Sequence, residues 1–367
     1  MLPVMLSASK VNGVVFILML LGMFIYSLPA VYSFARNQSQ GVEMFFDGAL
    51  LRQFETFYDK RLFLRDGSVR QWANLQYLIF REGASGAVFG VDGWLFSNQE
   101  YLVPNDFAQN MDNQLAQIGD VQATLQGAGK RLIILPVPMK LDVQRSRALD
   151  QPSSQAIDLY DDFVARLQQQ QVAVSPVRDA FLAAVAREDL FLRNDTHWNP
   201  AGARLAAMEL ARQYPELKGD RHYASAYAGH KSIKGDLVNF LNFNPNLRPQ
   251  YFAPVDIQLY ETLDSQPRSG ADALFGEVQH SLMLVGTSYS RIDDWNFVGF
   301  LKEALQSDLL SVAVEAKGPF HAMDEFLASD ALNDPALTTV IWEFPVRTLL
   351  AQRTTSRNND QQNTTPH

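Results

Sequence analysis

The sequence predicts an α/β protein with a mainly parallel sheet, helices on both of its faces, and one N-terminal transmembrane helix ahead of it. Three observations carry this expectation. Short runs of Leu, Ile and Val recur along the chain with helix-length segments between them, the pattern of βαβ units. Those runs are apolar at consecutive rather than alternate positions, as strands buried on both faces require. Near the N-terminus, Val11–Ala35 ("VNGVVFILMLLGMFIYSLPAVYSFA") carries no charged residue.

Taken in order, Val11–Ala35 is long enough to span, since about 20 apolar residues cross a hydrocarbon core. It exceeds the apolar region of a cleaved signal, about 7–15 residues, so an uncleaved signal anchor is expected; Ser33 and Ala35 are the small pair that cleavage would use. Lys10 before the span favours a cytoplasmic N-terminus and an exported body. Gly41–Gly67 reads as one or two membrane-proximal helices, and Gly90–Phe96 ("GVDGWLF") as a hairpin turn. Asn105–Gln126 has helical spacing and stops at Gly127. A buried strand is expected at Leu132–Leu135, a helix at Ser154–Gln171, a strand at Val172–Val177 and a helix at Arg178–Arg187. Asn199–Pro200 is a helix start, with Asn as N-cap and Pro at the first helical position.

His222–Leu274 is irregular and rich in Asn, Tyr and Pro, with hairpin strands expected only near Tyr251–Leu263. The α/β pattern then resumes: strand Leu282–Val285, helix Trp295–Leu305, strand Leu309–Ala316, helix Met323–Ala331 and strand Leu337–Phe344. Gln352–His367 is polar and is expected to be disordered.

Composition narrows the function. A net charge of -9 argues against nucleic acid, whose phosphates need a basic surface. The absence of cysteine removes disulfides, thiolate nucleophiles and Cys-based zinc sites. The histidines show neither HExxH nor HxH spacing, and there is no Gly-rich phosphate loop, so no cofactor or metal is expected.

Two stretches can carry chemistry. In "LMLVGTSYSR" a buried strand ends at Val285, Gly286 allows a sharp turn, and Ser288 follows at the strand's carboxyl end, where ligands bind in open α/β sheets. A plain Gly/Ser turn fits too, and Ser290 is a competing nucleophile. In "FLRNDTHWNPAG", Asp195 and His197 project to the same side if the chain is extended, so the carboxylate can orient the imidazole as in a serine-hydrolase triad. The alternative is an Asx-turn at Asp195 with the histidine packed on Trp198.

Together "DTHW", "GTSYS", "WNFVGFL", "GPF" and "VIWEFP", in that order and preceded by "DGWLF", resemble the bacterial exopolysaccharide O-acetyltransferases typified by the alginate acetylation proteins J and X. The resemblance covers most of Phe89–Arg347. It implies an SGNH-hydrolase-like three-layer sandwich, with Ser288 as nucleophile, His197 as general base and Asp195 as its orienting partner. It also implies a polysaccharide substrate, most readily alginate, with cellulose or another exopolysaccharide as the competing polymer. A multi-span membrane O-acyltransferase would be the acetyl donor and other exopolysaccharide acetylation proteins partners, at the inner membrane with the catalytic domain in the periplasm. The anchor, with no obvious C-terminal carbohydrate-binding module, fits the J-like branch. The expected organisation is 1–36 stub and anchor, 37–88 membrane-proximal helical segment, 89–350 catalytic domain with an insertion near 222–274, and 351–367 tail.

Three features depart from a standard SGNH enzyme: GTS replaces GDS, the serine motif follows the Asp/His motif, and one residue rather than two separates Asp from His. The oxyanion-hole residues stay unassigned. An acetylesterase with the same triad, or a non-catalytic scaffold of the polysaccharide machinery, fits the same residues as an alternative.

Overall fold

The computed structural model describes residues 3–36, 49–61, 67–69, 71, 86–241, 252–266 and 280–350. The expected tail 351–367 lies outside them, as does much of 37–88. The chain forms two compact units, Met1–Asn74 and Leu75–His367.

In the first unit, helix α1 (Pro3–Arg36) contains the apolar segment Asn12–Arg36, long and apolar enough to cross a membrane, with mean hydropathy 2.4. Helix α2 (Ala49–Asp59) lies against it. Phe34 of α1 meets the rings of Phe54 and Phe57 at 5.2 and 5.3 Å, and the Ser27 and Tyr58 hydroxyls share a hydrogen bond of 2.5 Å.

The second unit opens with the expected hairpin, β1 (Ala87–Phe89) against β2 (Leu95–Ser97). Its centre is a five-stranded sheet, all parallel, in the order β4-β3-β9-β7-β8. The strands are β3 (Arg131–Val137), β4 (Ala173–Val174), β7 (Leu282–Gly286), β8 (Leu309–Ala313) and β9 (Thr339–Pro345). Their side chains divide between two cores. Leu132, Ile134, Met283, Val285, Val340, Trp342 and Phe344 face one layer of helices, α3 (Phe107–Gly127), α5 (Ser154–Gln169) and α10 (Pro319–Leu327). Leu135, Val137, Leu282, Leu284 and Ile341 face the other, where α6 (Arg178–Ala184), α7 (Pro200–Gln213) and α9 (Phe297–Leu305) pack. Burial on both faces is why these strands read as unbroken apolar runs. The result is the expected three-layer sandwich. Short helices α4 (Lys140–Val143) and α8 (Ser288–Arg291) follow the carboxyl ends of β3 and β7.

Some expectations need correction. The strand expected over Val172–Val177 is only β4, because Ser175 N–H makes the last contact to Ile134 and Pro176 has no N–H to extend the ladder. The helix expected at Met323–Ala331 begins four residues earlier, with Pro319 at its start after Gly318 (φ 78°). The segment read as irregular contains a long antiparallel ribbon, β5 (Tyr223–Ile233) on β6 (Val255–Asp264). β6 lies where strands were expected. β5 was not legible because "YASAYAGHKSI" has no fully buried residue, so the alternation that marks a half-buried strand is missing.

Candidate active site

Ser288 begins α8 at the carboxyl end of β7, one strand from the sheet's centre. It is half-buried. Gly286 is required there, but for space rather than for a special φ: a Cβ would lie 2.4 Å from Ser290 Oγ and 2.8 Å from Glu343 Oε2. Glu343, fully buried on β9, accepts hydrogen bonds from Thr287 N–H (2.9 Å), Thr287 Oγ1 (3.0 Å) and Ser290 Oγ (2.6 Å). Burial pushes the Glu343 carboxyl above its ordinary range, against the pull of these donors. The competing Ser290 therefore points into Glu343, whereas Ser288 stands free of it.

The Asp/His stretch forms a tight loop between Phe191 and Trp198, which bridge each other. It is closed by Leu192 N–H to His197 O (3.1 Å) and Asn199 N–H to Leu190 O (3.0 Å). Asn199 also caps α7 through Gly202 N–H (3.0 Å), as its position before Pro200 predicted. Within the loop the two readings of Asp195 turn out to be compatible. Its Oδ1 accepts both His197 N–H (2.9 Å), the Asx-type bond, and His197 Nδ1 (2.6 Å). On the far side of the ring, Nε2 lies 2.7 Å from Ser288 Oγ. Asp195, His197 and Ser288 are thus one hydrogen-bonded chain, although 91 positions separate His197 from Ser288.

Two further bonds latch the segments together. Trp198 Nε1 donates to Tyr289 O (3.2 Å), and the buried Tyr289 hydroxyl donates to Thr196 O (2.6 Å). The His197 ring packs against Tyr289 and Trp295, with centroids 4.8 and 5.8 Å away, rather than against Trp198.

Sequence reasoning missed Asp236, which lies just before the short turn Leu237–Phe240 between β5 and β6. Its main-chain N–H donates to Asp195 Oδ2 (2.8 Å), while its carboxylate accepts Thr196 N–H (2.8 Å) and Thr196 Oγ1 (2.6 Å). Gly235 beside it (φ 83°) has no room for a Cβ, which would meet Asn194 O at 2.2 Å. No sequence signal marks Asp236, because its partners are distant in the chain and its segment lacks periodicity. Glu343 did carry one: a single acid inside the apolar run "VIWEFP".

Burial works to raise the Asp195 carboxyl. The hydrogen bond and charge of His197, with main-chain donors, outweigh it and hold Asp195 below the usual carboxylate range. Asp236 is pushed the other way, first by burial and then by the Asp195 charge.

Asp195, His197 and Asp236 are also a group whose ligand atoms could converge on a metal ion, all lying within 4.8 Å of one another. The four carboxylate oxygens, however, already accept the hydrogen bonds given above, and Nε2 faces Ser288. With these atoms already engaged, the donor set fits a metal poorly.

The family described as SGNH hydrolase-like domain, acetyltransferase AlgX, matches residues 87–346. This chain belongs to the AlgX acetyltransferase family. Among its curated relatives, the probable alginate O-acetylase AlgJ of Pseudomonas putida KT2440 is 37% identical over 344 residues, covering 91% of this chain and 88% of the relative. The AlgJ of Pseudomonas aeruginosa PAO1 is 33% identical over 343 residues, covering 90% and 87%. The solved O-acetyltransferase domain of P. putida AlgJ superposes with a TM-score of 0.68 at 35% identity, covering 75% of this chain and 96% of that domain. Membership of the AlgX family makes this chain an acyltransferase on an SGNH-like fold, and its relatives include proteins of alginate acetylation.

Proposed function

We propose that this chain acetylates hydroxyl groups of an exopolysaccharide, alginate, with Ser288 as nucleophile, His197 as general base and Asp195 as the group that orients the imidazole. One observation carries the reading: the unbroken relay from Asp195 through both ring nitrogens of His197 to Ser288 Oγ, at 2.6 and 2.7 Å. Alginate as the polymer rests on the AlgJ relatives, which are named for it.

In the first half-reaction Ser288 Oγ attacks the donor's acetyl carbon and His197 Nε2 takes the hydroxyl proton. Collapse of the tetrahedral intermediate expels the donor's leaving group, which takes that proton from His197. In the second, a sugar hydroxyl attacks the acetyl-serine and gives its proton to Nε2. Ser288 then leaves and recovers the proton. The Ser288 N–H, at the first position of α8, has no acceptor within that helix and is one donor available to the oxyanion. Its neighbours are engaged: Thr287 N–H by Glu343 and Tyr289 N–H by Thr287 Oγ1 at 3.4 Å.

The reading places the acetylating unit, residues 89–350, in the periplasm. Residues 1–36 tether it to the inner membrane, and 37–88 form the membrane-proximal segment. Lys10 ahead of the apolar segment Asn12–Arg36 supports this orientation. A multi-span membrane O-acyltransferase supplies acetyl groups, and other exopolysaccharide acetylation proteins act beside this chain.

The test compares wild type with Ser288→Ala, His197→Ala and Asp195→Ala for release of acetate from an aryl acetate and for acetyl content of the polymer made by cells. Each variant should lose both activities while keeping a cooperative melt. The double variant Ser288→Ala/His197→Ala should be scarcely worse than either single one, since the residues act as a unit. Aryl-acetate cleavage and polymer acetylation both unchanged in Ser288→Ala would leave the chain a scaffold. Loss of aryl-acetate cleavage with normal acetyl content in the polymer would make it an esterase.

A further inference from the structure

Lys140 ends the segment "ILPVPMK" and begins α4 at the carboxyl edge of β3. It is only 1% exposed. Its ammonium has three N–H bonds, and three main-chain carbonyls receive them: Leu95 O at 2.5 Å, Asp195 O at 2.9 Å and Arg193 O at 3.0 Å. The rings of Trp94 and Phe96 flank the nitrogen at 5.0 and 5.2 Å. Burial lowers the lysine's hold on its proton, to about 7, against the opposing charges of Glu100, Asp195, Asp236 and Asp189. Three acceptors around one nitrogen are all satisfied only by the ammonium form, because a neutral amine has two N–H bonds and a lone pair.

The three carbonyls come from two segments. Leu95 lies in β2, within the "DGWLF" stretch, and Arg193 and Asp195 lie in the loop that presents the carboxylate and the imidazole. Leu95 N–H also donates to Arg193 O (2.9 Å), so the two segments are stitched twice. Glu100, after β2, accepts Leu141 N–H at 2.6 Å and holds the turn carrying Lys140 from the other side.

We propose that Lys140 is a positioning residue for acetyl transfer: its ammonium clamps the Leu95, Arg193 and Asp195 carbonyls and so fixes the loop from which Asp195 and His197 reach Ser288. This rests on the triad reading above. The clamp binds the backbone beneath the triad and touches neither substrate nor the reacting atoms. Its loss therefore acts on the chemical step, with little effect on substrate binding.

The full chain, extracted in detergent, is assayed on 4-nitrophenyl acetate as wild type, Ser288→Ala, Lys140→Met and Lys140→Gln. Lys140→Met should lower kcat about 100-fold, the scale of an ångström-sized misplacement, and KM should change less than about twofold. Because the chain has no cysteine, Lys140→Cys offers a unique thiol. Aminoethylation of that thiol in the unfolded chain, followed by refolding, rebuilds a lysine-like ammonium and should restore most of kcat. Ethylation, which adds no charge, should not. Activity lost in Ser288→Ala but kept in Lys140→Met would overturn the clamp and leave the triad standing. Equal recovery with either alkyl group would overturn it too. Loss of a cooperative melt in both Lys140→Met and Lys140→Gln would make the ammonium a requirement of folding, which likewise overturns the positioning role. Activity kept in Ser288→Ala would remove the triad, and the clamp's purpose with it.

Discussion

Replacing Tyr289 by Phe removes one oxygen and tests whether the two motif segments depend on being latched. The hydroxyl is fully buried and donates to Thr196 O at 2.6 Å, in the peptide between Asp195 and His197. Burial raises the Tyr289 hydroxyl well above its ordinary titration range, so it remains a donor throughout any practical assay. Phe fits the same space, so the change leaves an unpaired buried carbonyl at Thr196 without opening a large cavity. An unsatisfied buried acceptor costs about 1–3 kcal/mol. At roughly 2–4 °C per kcal/mol for domains of this size class, the melting midpoint should fall by about 2–12 °C. If about 1.4 kcal/mol of that also holds the loop in the reactive geometry, kcat on an aryl acetate drops about tenfold. KM should stay near wild type, because Tyr289 lies beneath the ring of His197 and is covered from substrate. A Tyr289→Phe protein with an unchanged midpoint and unchanged kcat would refute the latch. The loop would then be held without the Tyr289 hydroxyl, by its own closing bonds, the Trp198 indole and the Asp236 and Lys140 bonds.

Two more outcomes follow from the same geometry. Ser290→Ala should keep aryl-acetate activity within a few-fold of wild type. Glu343→Gln should cost about 2–3 kcal/mol in chemical denaturation, since an amide NH₂ would face donors that a carboxylate accepts. Loss of aryl-acetate activity in Ser290→Ala would return Ser290 to candidacy as the nucleophile. For pH, Asp195 is held below its unfolded value of about 3.9. Its stabilising contribution is therefore present above about pH 3.9 and is lost as pH falls through the lower folded value. Thermal melts of wild type and Asp195→Asn between about pH 6 and 3 should converge on the acid side. Parallel curves across that range would remove the linkage.

Much of the scaffold was legible because its physics is local. Strands β3, β7 and β9 are buried on both faces, so each reads as an apolar run wherever the chain is inspected. Asn199 and Pro200 announce α7 because cap chemistry depends on a few adjacent residues. Ribbon strand β5 failed to announce itself, because it buries no residue fully and finds its partner far along the chain.

The sequence by itself determined the apolar N-terminal helix, the βαβ rhythm, and the two motifs that supply an acid–base pair and a serine. Those are properties of composition, periodicity and short-range spacing. The resemblance had already singled out Ser288; tertiary structure alone decided that Asp195 makes both its turn bond and its ring bond, and that Asp236 and Lys140 hold the loop. The physical reason is the parallel sheet. It brings the ends of separated strands to one edge, where a hydrogen bond between residues 91 positions apart is fixed by distances that no stretch of sequence contains.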